Sequence, residues 1–271
     1  MRHRMLLLGL GLLAAFLAAP RAAAAAGDGL DRIAQAGVVR IAVPDNFAPF
    51  GTLGADGAAQ GYDIDTARLI AEALGVKPDL VVVPSADRIP ALTDGKVDLV
   101  VSTLGKDAER EKLIDFSAAY APFFSGVYGP APLAVAVPAD LAGKSIAVTR
   151  DTIEDGALSK LAPPTATIKR YDDNAGAQIA FFSNQTQLIA TANAVAGEVL
   201  ARSPLKHTVL KLLLRNSPCY VGVAKGEPAL LARIDAIIAA ARGDGRLEAI
   251  SERWLKAPLG DPEHPDLPGG K

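Results

Sequence analysis

The chain of 271 residues contains one cysteine, three histidines and, beyond its first residues, no basic block. With Cys219 alone, no internal disulfide can form, so the core must hold the fold without a staple. A lipid anchor would need a cysteine at a cleavage point, and Cys219 is far downstream; it is expected as a buried small hydrophobe. His3, His207 and His264 are too scattered for a metal site, so neither a metal nor a cofactor is expected. The net charge of −2, without a basic tract to follow a phosphate backbone, argues against nucleic acid as a partner. After the N-terminus no apolar run is long enough to cross a bilayer, so the 50% hydrophobic content is expected in a core.

What is present begins with Arg2, His3 and Arg4, followed by an apolar run over residues 5–19 that carries no acid. Small residues 22–26 then offer an A-x-A cleavage site before Gly27. Residues 1–26 are therefore expected to be a cleavable secretory signal, leaving a soluble, monomeric periplasmic chain.

Beyond the signal, strand-like runs over residues 38–43, 80–83 and 99–101 alternate with helical patterns over residues 64–74 and 89–92. Ile64, Ala67, Ile70, Ala71 and Leu74 recur at spacings of three and four, which predicts one apolar stripe, and Gly75 ends it. The rhythm restarts after Tyr120, with strands expected over 145–149, 168–171 and 188–192. A final strand over 220–224 leads to a helix carrying Leu230, Ile234, Ile237, Ile238 and Ala241, then to a short helix ending near Trp254. The expected class is α/β, with lobes over 27–120 and 121–217, a return to the first lobe over 218–257, and a weakly ordered tail over 258–271. Two such lobes leave a cleft in which polar groups can converge on a small solute.

The ordered landmarks are Pro49-Phe50, Gly61-Tyr62-Asp63-Ile64-Asp65, Arg88-Ile89-Pro90-Ala91-Leu92, Gly95-Lys96-Val97-Asp98, Arg110, Asp115-Phe116-Ser117, Tyr120, and Asp244-Gly245 with Trp254. Together they resemble the bacterial extracellular solute-binding proteins of family 3, the polar amino-acid receptors of import systems. The resemblance implies a two-lobed periplasmic-binding-protein fold of type II, with the ligand between the lobes. It implies an amino acid or related small carboxylate as ligand and an inner-membrane ABC permease as partner.

It also implies site residues. Arg110 is the carboxylate ligand, because a guanidinium fork holds a carboxylate through two donors and stays ionised; read without the motif, it would be a surface ion pair with Glu109, Glu111 or Asp115. Ser102 and Thr103 add donors. Phe47 either faces the ligand's aliphatic part or packs in the core. Ser85 and Arg88 resemble positions that reach an acidic side chain, although Arg88 could equally brace its lobe, and the arginine that acidic receptors carry in the first loop is missing near Pro44. Asp63 and Asp65 are expected to cap a helix. Asp98 and Asp115 are expected in turns and the hinge.

The second lobe departs from the pattern. Asp151-Thr152 stands where Gly-Thr is usual, although Thr152 can still donate to the carboxylate. Asn193 falls at the family's ammonium-pairing aspartate, and Asn184-Gln185-Thr186-Gln187 replaces the customary Gly-x-Val-Asp. Either Asp151, Glu154 or another acid then pairs with the ammonium, or the ligand has none. Two other functions fit the fold: a ligand sensor or adaptor, and a dehydratase of cyclic carboxylic acids, for which Glu154 would be the general acid. The latter's Asn-Pro-Gly-Gly-Thr motif is absent.

Overall fold

The alternating periodicities form two five-stranded β-sheets, beside a small three-stranded one, in a computed structural model, which describes residues 29–195 and 207–264. The expected signal segment lies outside the described residues, among which no helix is long and apolar enough to cross a membrane. Helix α1 (Gly29–Ala36) enters β1 (Val38–Val43), and the short strands β2 (Asn46–Phe47), β3 (Gly51–Leu53) and β4 (Ala59–Gln60) precede α2 (Tyr62–Leu74). Then follow β5 (Lys77–Val82), α3 (Arg88–Thr93), β6 (Leu99–Leu104), α4 (Arg110–Leu113) and β7 (Ile114–Ala121). The second lobe comprises β8 (Phe124–Pro130), β9 (Ser145–Thr149), α5 (Ile153–Leu161), β10 (Thr167–Tyr171), α6 (Asn174–Phe182), β11 (Leu188–Ala192), α7 (Asn193–Val195) and β12 (Thr208–Asn216). The chain returns through β13 (Cys219–Ala224), α8 (Pro228–Gly243) and α9 (Arg246–Leu255).

The first sheet runs β5-β1-β6-β13-β7 and the second β10-β9-β11-β8-β12. In each, a parallel trio is extended by antiparallel strands, β13 and β7 in one and β8 and β12 in the other. Of these, β7, β8 and β12 do not follow from the apolar periodicity, because they are defined by pairing with strands distant in sequence. Central strands are covered on both faces: Ile41, Leu99, Val101, Val221 and Val223 are fully buried, each contributing about 1.5–3 kcal/mol of apolar transfer.

Helix α2 buries Ile64, Ala67, Ile70 and Ala71 on the expected stripe. It ends where Gly75, at φ 74°, places its amide on the Ala71 and Glu72 carbonyls. Leu230, Ile234, Ile237, Ile238 and Ala241 are likewise the buried face of α8. Cys219 is buried, as its type and neighbours suggest.

Three expectations need correction. Asp63 and Asp65 do not cap α2, whose N-cap is Gly61 without a side-chain bond. Asp63 instead lies fully buried inside the helix and accepts from the Tyr120 hydroxyl at 2.7 Å, while Asp65 accepts from Trp254 Nε1 at 2.7 Å. Of the expected loose tail, residues 258–264 pack on the chain, with Leu259 buried and Glu263 accepting from Tyr220, and residues 265–271 lie outside the described residues. Asp98 sits in the bend before β6, as expected, where it receives the Arg40 amide at 2.8 Å and Arg40 Nη2 at 2.6 Å, but Asp115 lies within β7, opposite Val223, and not in a turn or the hinge.

The chain crosses between the lobes twice, once after β7 and once before β13. The crossings are joined where the Ser217 amide donates to the Phe123 carbonyl at 2.9 Å. A pair of short, bonded crossings leaves rotation of one lobe against the other as the easy motion.

Candidate functional site between the lobes

The carboxyl ends of parallel strands are where open α/β sheets present ligand groups, because the loops there converge. At the end of β6 the chain turns through Thr103, held at φ 44°, and Gly105 into α4. The Asp107 carboxylate receives the amides of Glu109 and Arg110, fixing that entry. Arg110 then extends into the cleft. Its Nη1 donates to Gly105 O at 2.8 Å and its Nη2 crosses to Asp151 O on the second lobe at 2.7 Å. Its Nε lies 3.7 Å from Asp107 Oδ2. The surface ion pair with Glu109, Glu111 or Asp115 does not form: Glu109 pairs with Lys112 and Asp115 with Lys225. Burial lowers the Arg110 pKa, although Asp107 and Glu154 oppose that shift.

Arg88, 4% exposed, both braces the lobe and faces the cleft. Its Nε donates to Ser85 O at 2.9 Å, and its Nη1 to Ser102 O at 2.6 Å. Burial, aided by the neighbouring Arg110 charge, brings its pKa down to about 10, so it remains a cation at neutral pH.

The resulting narrow cavity is lined from the first lobe by Phe47, Ser85, Arg88, Thr103, Gly105 and Arg110. The second lobe supplies Thr149, Thr152, Ile153, Glu154, Asn174, Ala190 and Thr191, and the crossings supply Phe123 and Ser217. Six of the nine expected site residues therefore meet here: Phe47, Ser85, Arg88, Thr103, Arg110 and Thr152. Phe47 belongs to the core, stacking on Phe50 at 5.7 Å between centroids, and also lines the cavity. Thr152 caps α5, and its hydroxyl donates to Thr149 O at 2.8 Å. A hydroxyl has one hydrogen, so donation to Thr149 and donation to a carboxylate exclude one another.

Ser102, Asp151 and Asn193 are not in the lining. Ser102 is buried behind it and contributes its carbonyl to Arg88. Asp151, at φ 58°, contributes its main-chain oxygen to Arg110 and borders the adjoining outer pocket. Asn193 Oδ1 receives the Phe124 amide at 3.3 Å, where the chain enters the second lobe.

Several lining residues were not foreseen. Asn174 accepts from the Thr149 hydroxyl at 2.8 Å and donates across the cleft to Asn46 Oδ1 at 3.3 Å. Ser217 comes from the second crossing. Neither sits in a recognisable motif. Gly105 could have been noticed as the glycine nearest Arg110: a Cβ there would lie 2.4 Å from Ser217 Oγ and 2.6 Å from Ile153 Cγ1. Only a bare Cα admits that approach.

Glu154 is the sole acid in the lining and is 7% exposed. Burial raises its pKa, while its own amide, the Thr152 side chain, Arg88 and Arg110 favour the ionised form. Chemically the cleft offers guanidinium donors, one carboxylate and an aromatic wall. Among the described residues no cluster of His, Cys, Asp and Glu is suited to a metal ion.

The same combination of sequence and architecture occurs in known proteins. The glutamine-binding protein of an ABC transporter from Bacillus subtilis (strain 168) is 30% identical over 207 residues, 74% of each chain. Cyclohexadienyl dehydratase from Pseudomonas aeruginosa is 36% identical over 93 residues, 34% of each chain. The solute receptor for L-cysteine of Neisseria gonorrhoeae superposes with a TM-score of 0.79 at 28% identity, covering 85% of this chain and 95% of that one. The model of the bacterial extracellular solute-binding proteins, family 3, matches residues 39–257, and the chain belongs to that family.

Proposed function

We propose that this chain is a monomeric periplasmic receptor that captures an amino acid or a closely related small carboxylate for an inner-membrane ABC permease, without catalysis. Residues 1–26 direct its export and are removed. The observation that carries the reading is Arg110: a cation drawn into the cleft, in contact with both lobes and flanked by Phe47 and Thr103. Such a group binds a carboxylate strongly where closure excludes water. The named ligands of the relatives, glutamine and cysteine among them, support an amino acid as the solute class.

The test is a thermal-shift screen of the mature protein against the proteinogenic L-amino acids, their des-amino analogues and simple amines, followed by calorimetric titration of the hits. Stabilisation by one or a few amino acids is the expected result. Conversion of a cyclic carboxylic acid to a new product, without stabilisation by amino acids, would replace the receptor by a dehydratase.

A further inference from the structure

Glu154 has no role in binding a carboxylate, although its charge partly offsets those of the buried Arg88 and Arg110. It stands in the first turn of α5, 7% exposed, and faces the cavity rather than the second lobe's core. Its Oε1 is buried and accepts no hydrogen bond from any described residue. No ion pair joins it to Arg88 or Arg110 among the described residues, although both influence it electrostatically. A buried carboxylate oxygen without a donor is unfavourable unless a partner completes it.

The position at which the family places its ammonium-pairing acid cannot supply that charge here. Asn193 is neutral, lies outside the lining and has its carbonyl on the Phe124 amide. Every other polar lining side chain is a cation, a hydroxyl or an amide. We propose that Glu154 is the counter-charge for a cationic nitrogen of the bound solute, so that the cleft selects zwitterions and pairs the ammonium on the first turn of α5 rather than at Asn193. Arg110 and Glu154 then form the two poles of the site, one from each lobe. A solute holding both favours the closed arrangement in which they face one another.

This inference rests on the carboxylate reading of Arg110, and the experiment separates the two. Calorimetric titration uses the tightest-binding L-amino acid from the screen and its des-amino analogue, glutaramate for L-glutamine or mercaptopropionate for L-cysteine. These are measured on wild type, Glu154→Gln, Glu154→Asp and Arg110→Ala, with circular dichroism as the check on folding. Wild type should prefer the amino acid by about 10- to 100-fold, the scale of a charge-assisted hydrogen bond, and Glu154→Gln should erase that preference by weakening the amino acid alone. Glu154→Asp should retain part of it, and Arg110→Ala should lose both probes. Equal affinity of wild type for the two probes, or an undiminished preference in Glu154→Gln, overturns the assignment while leaving Arg110 standing. If Glu154→Gln does not fold, the wild-type preference and its partial retention in Glu154→Asp decide the matter. Binding that survives in Arg110→Ala overturns the carboxylate reading and this inference with it.

Discussion

The Arg110 guanidinium, anchored at the start of α4 in the first lobe, donates to the main-chain oxygen of Asp151 in the second at 2.7 Å. One side chain thus lines the cavity and ties the lobes together. Arg110→Ala should reduce ligand affinity by at least about 100-fold, since two or more charged hydrogen bonds are lost. Circular dichroism should be unchanged, because the side chain belongs to the cleft and not to a core. Affinity within a few fold of wild type would remove Arg110 from the site.

Gly105 sets how closely the lobes approach. In Gly105→Ala the added methyl meets Ser217 Oγ and Ile153 Cγ1, and relieving that clash displaces those side chains or parts the lobes. Overpacking of this kind costs about 1–3 kcal/mol, so ligand affinity should fall by about 10- to 100-fold with little change in the unfolding of the unliganded protein. Wild-type affinity would show that the approach is not part of binding.

Lobe closure should be visible directly. Asn46 and Asn174 meet across the cleft, as do Arg110 and Asp151, and a ligand touching both lobes adds to the same closed state. Small-angle scattering at saturating ligand should give a smaller radius of gyration than without it, and the Asn174→Ala variant should close less completely. An unchanged radius, with binding confirmed by calorimetry, would count against closure.

Asp63 should make stability depend on pH. It is fully buried beside Tyr62, Tyr120, Cys219 and Arg88, and burial raises its pKa to about 7 despite the Tyr120 hydroxyl. The unfolded value is near 3.9, so between about pH 4 and about pH 7 the folded chain holds a proton that the unfolded chain has lost. Stability attributable to this group therefore falls as pH rises through that window. Asp63→Asn keeps an acceptor for Tyr120 and removes the titration. Denaturant unfolding at about pH 4.5 and about pH 8 should show the variant gaining on wild type by an amount on the order of a few kcal/mol at the higher pH. Parallel profiles for the two proteins would mean that Asp63 is not the group responsible.

Asn193→Asp should leave ligand affinity within about twofold, since the side chain lies outside the cavity and either residue can accept from the Phe124 amide. A large change in either direction would bring position 193 into contact with the solute and weaken the assignment of Glu154.

Local chemistry carried much of this protein. The stripe of Ile64, Ala67, Ile70 and Ala71, the glycine stop at Gly75 and the buried face of α8 follow from side-chain spacing, which a helix converts directly into one covered surface. The order of short motifs was enough for the family, the two-lobed fold and the candidacy of Arg110. What required the tertiary structure was the partner of each polar group. Asp63 reads as a helix cap because it stands near a helix start, but it is buried because Tyr120, 57 residues away, supplies its donor. Thr152 reads as a donor to the ligand, and Thr149 competes for its one hydrogen. Asn193 aligns with an ammonium site yet supports a crossing strand, while Glu154, Asn174 and Ser217 reach the cavity from three separate segments. Spacing along a chain determines which face of its own element a residue occupies; which face meets a cavity is decided only when distant elements pack and the two lobes close.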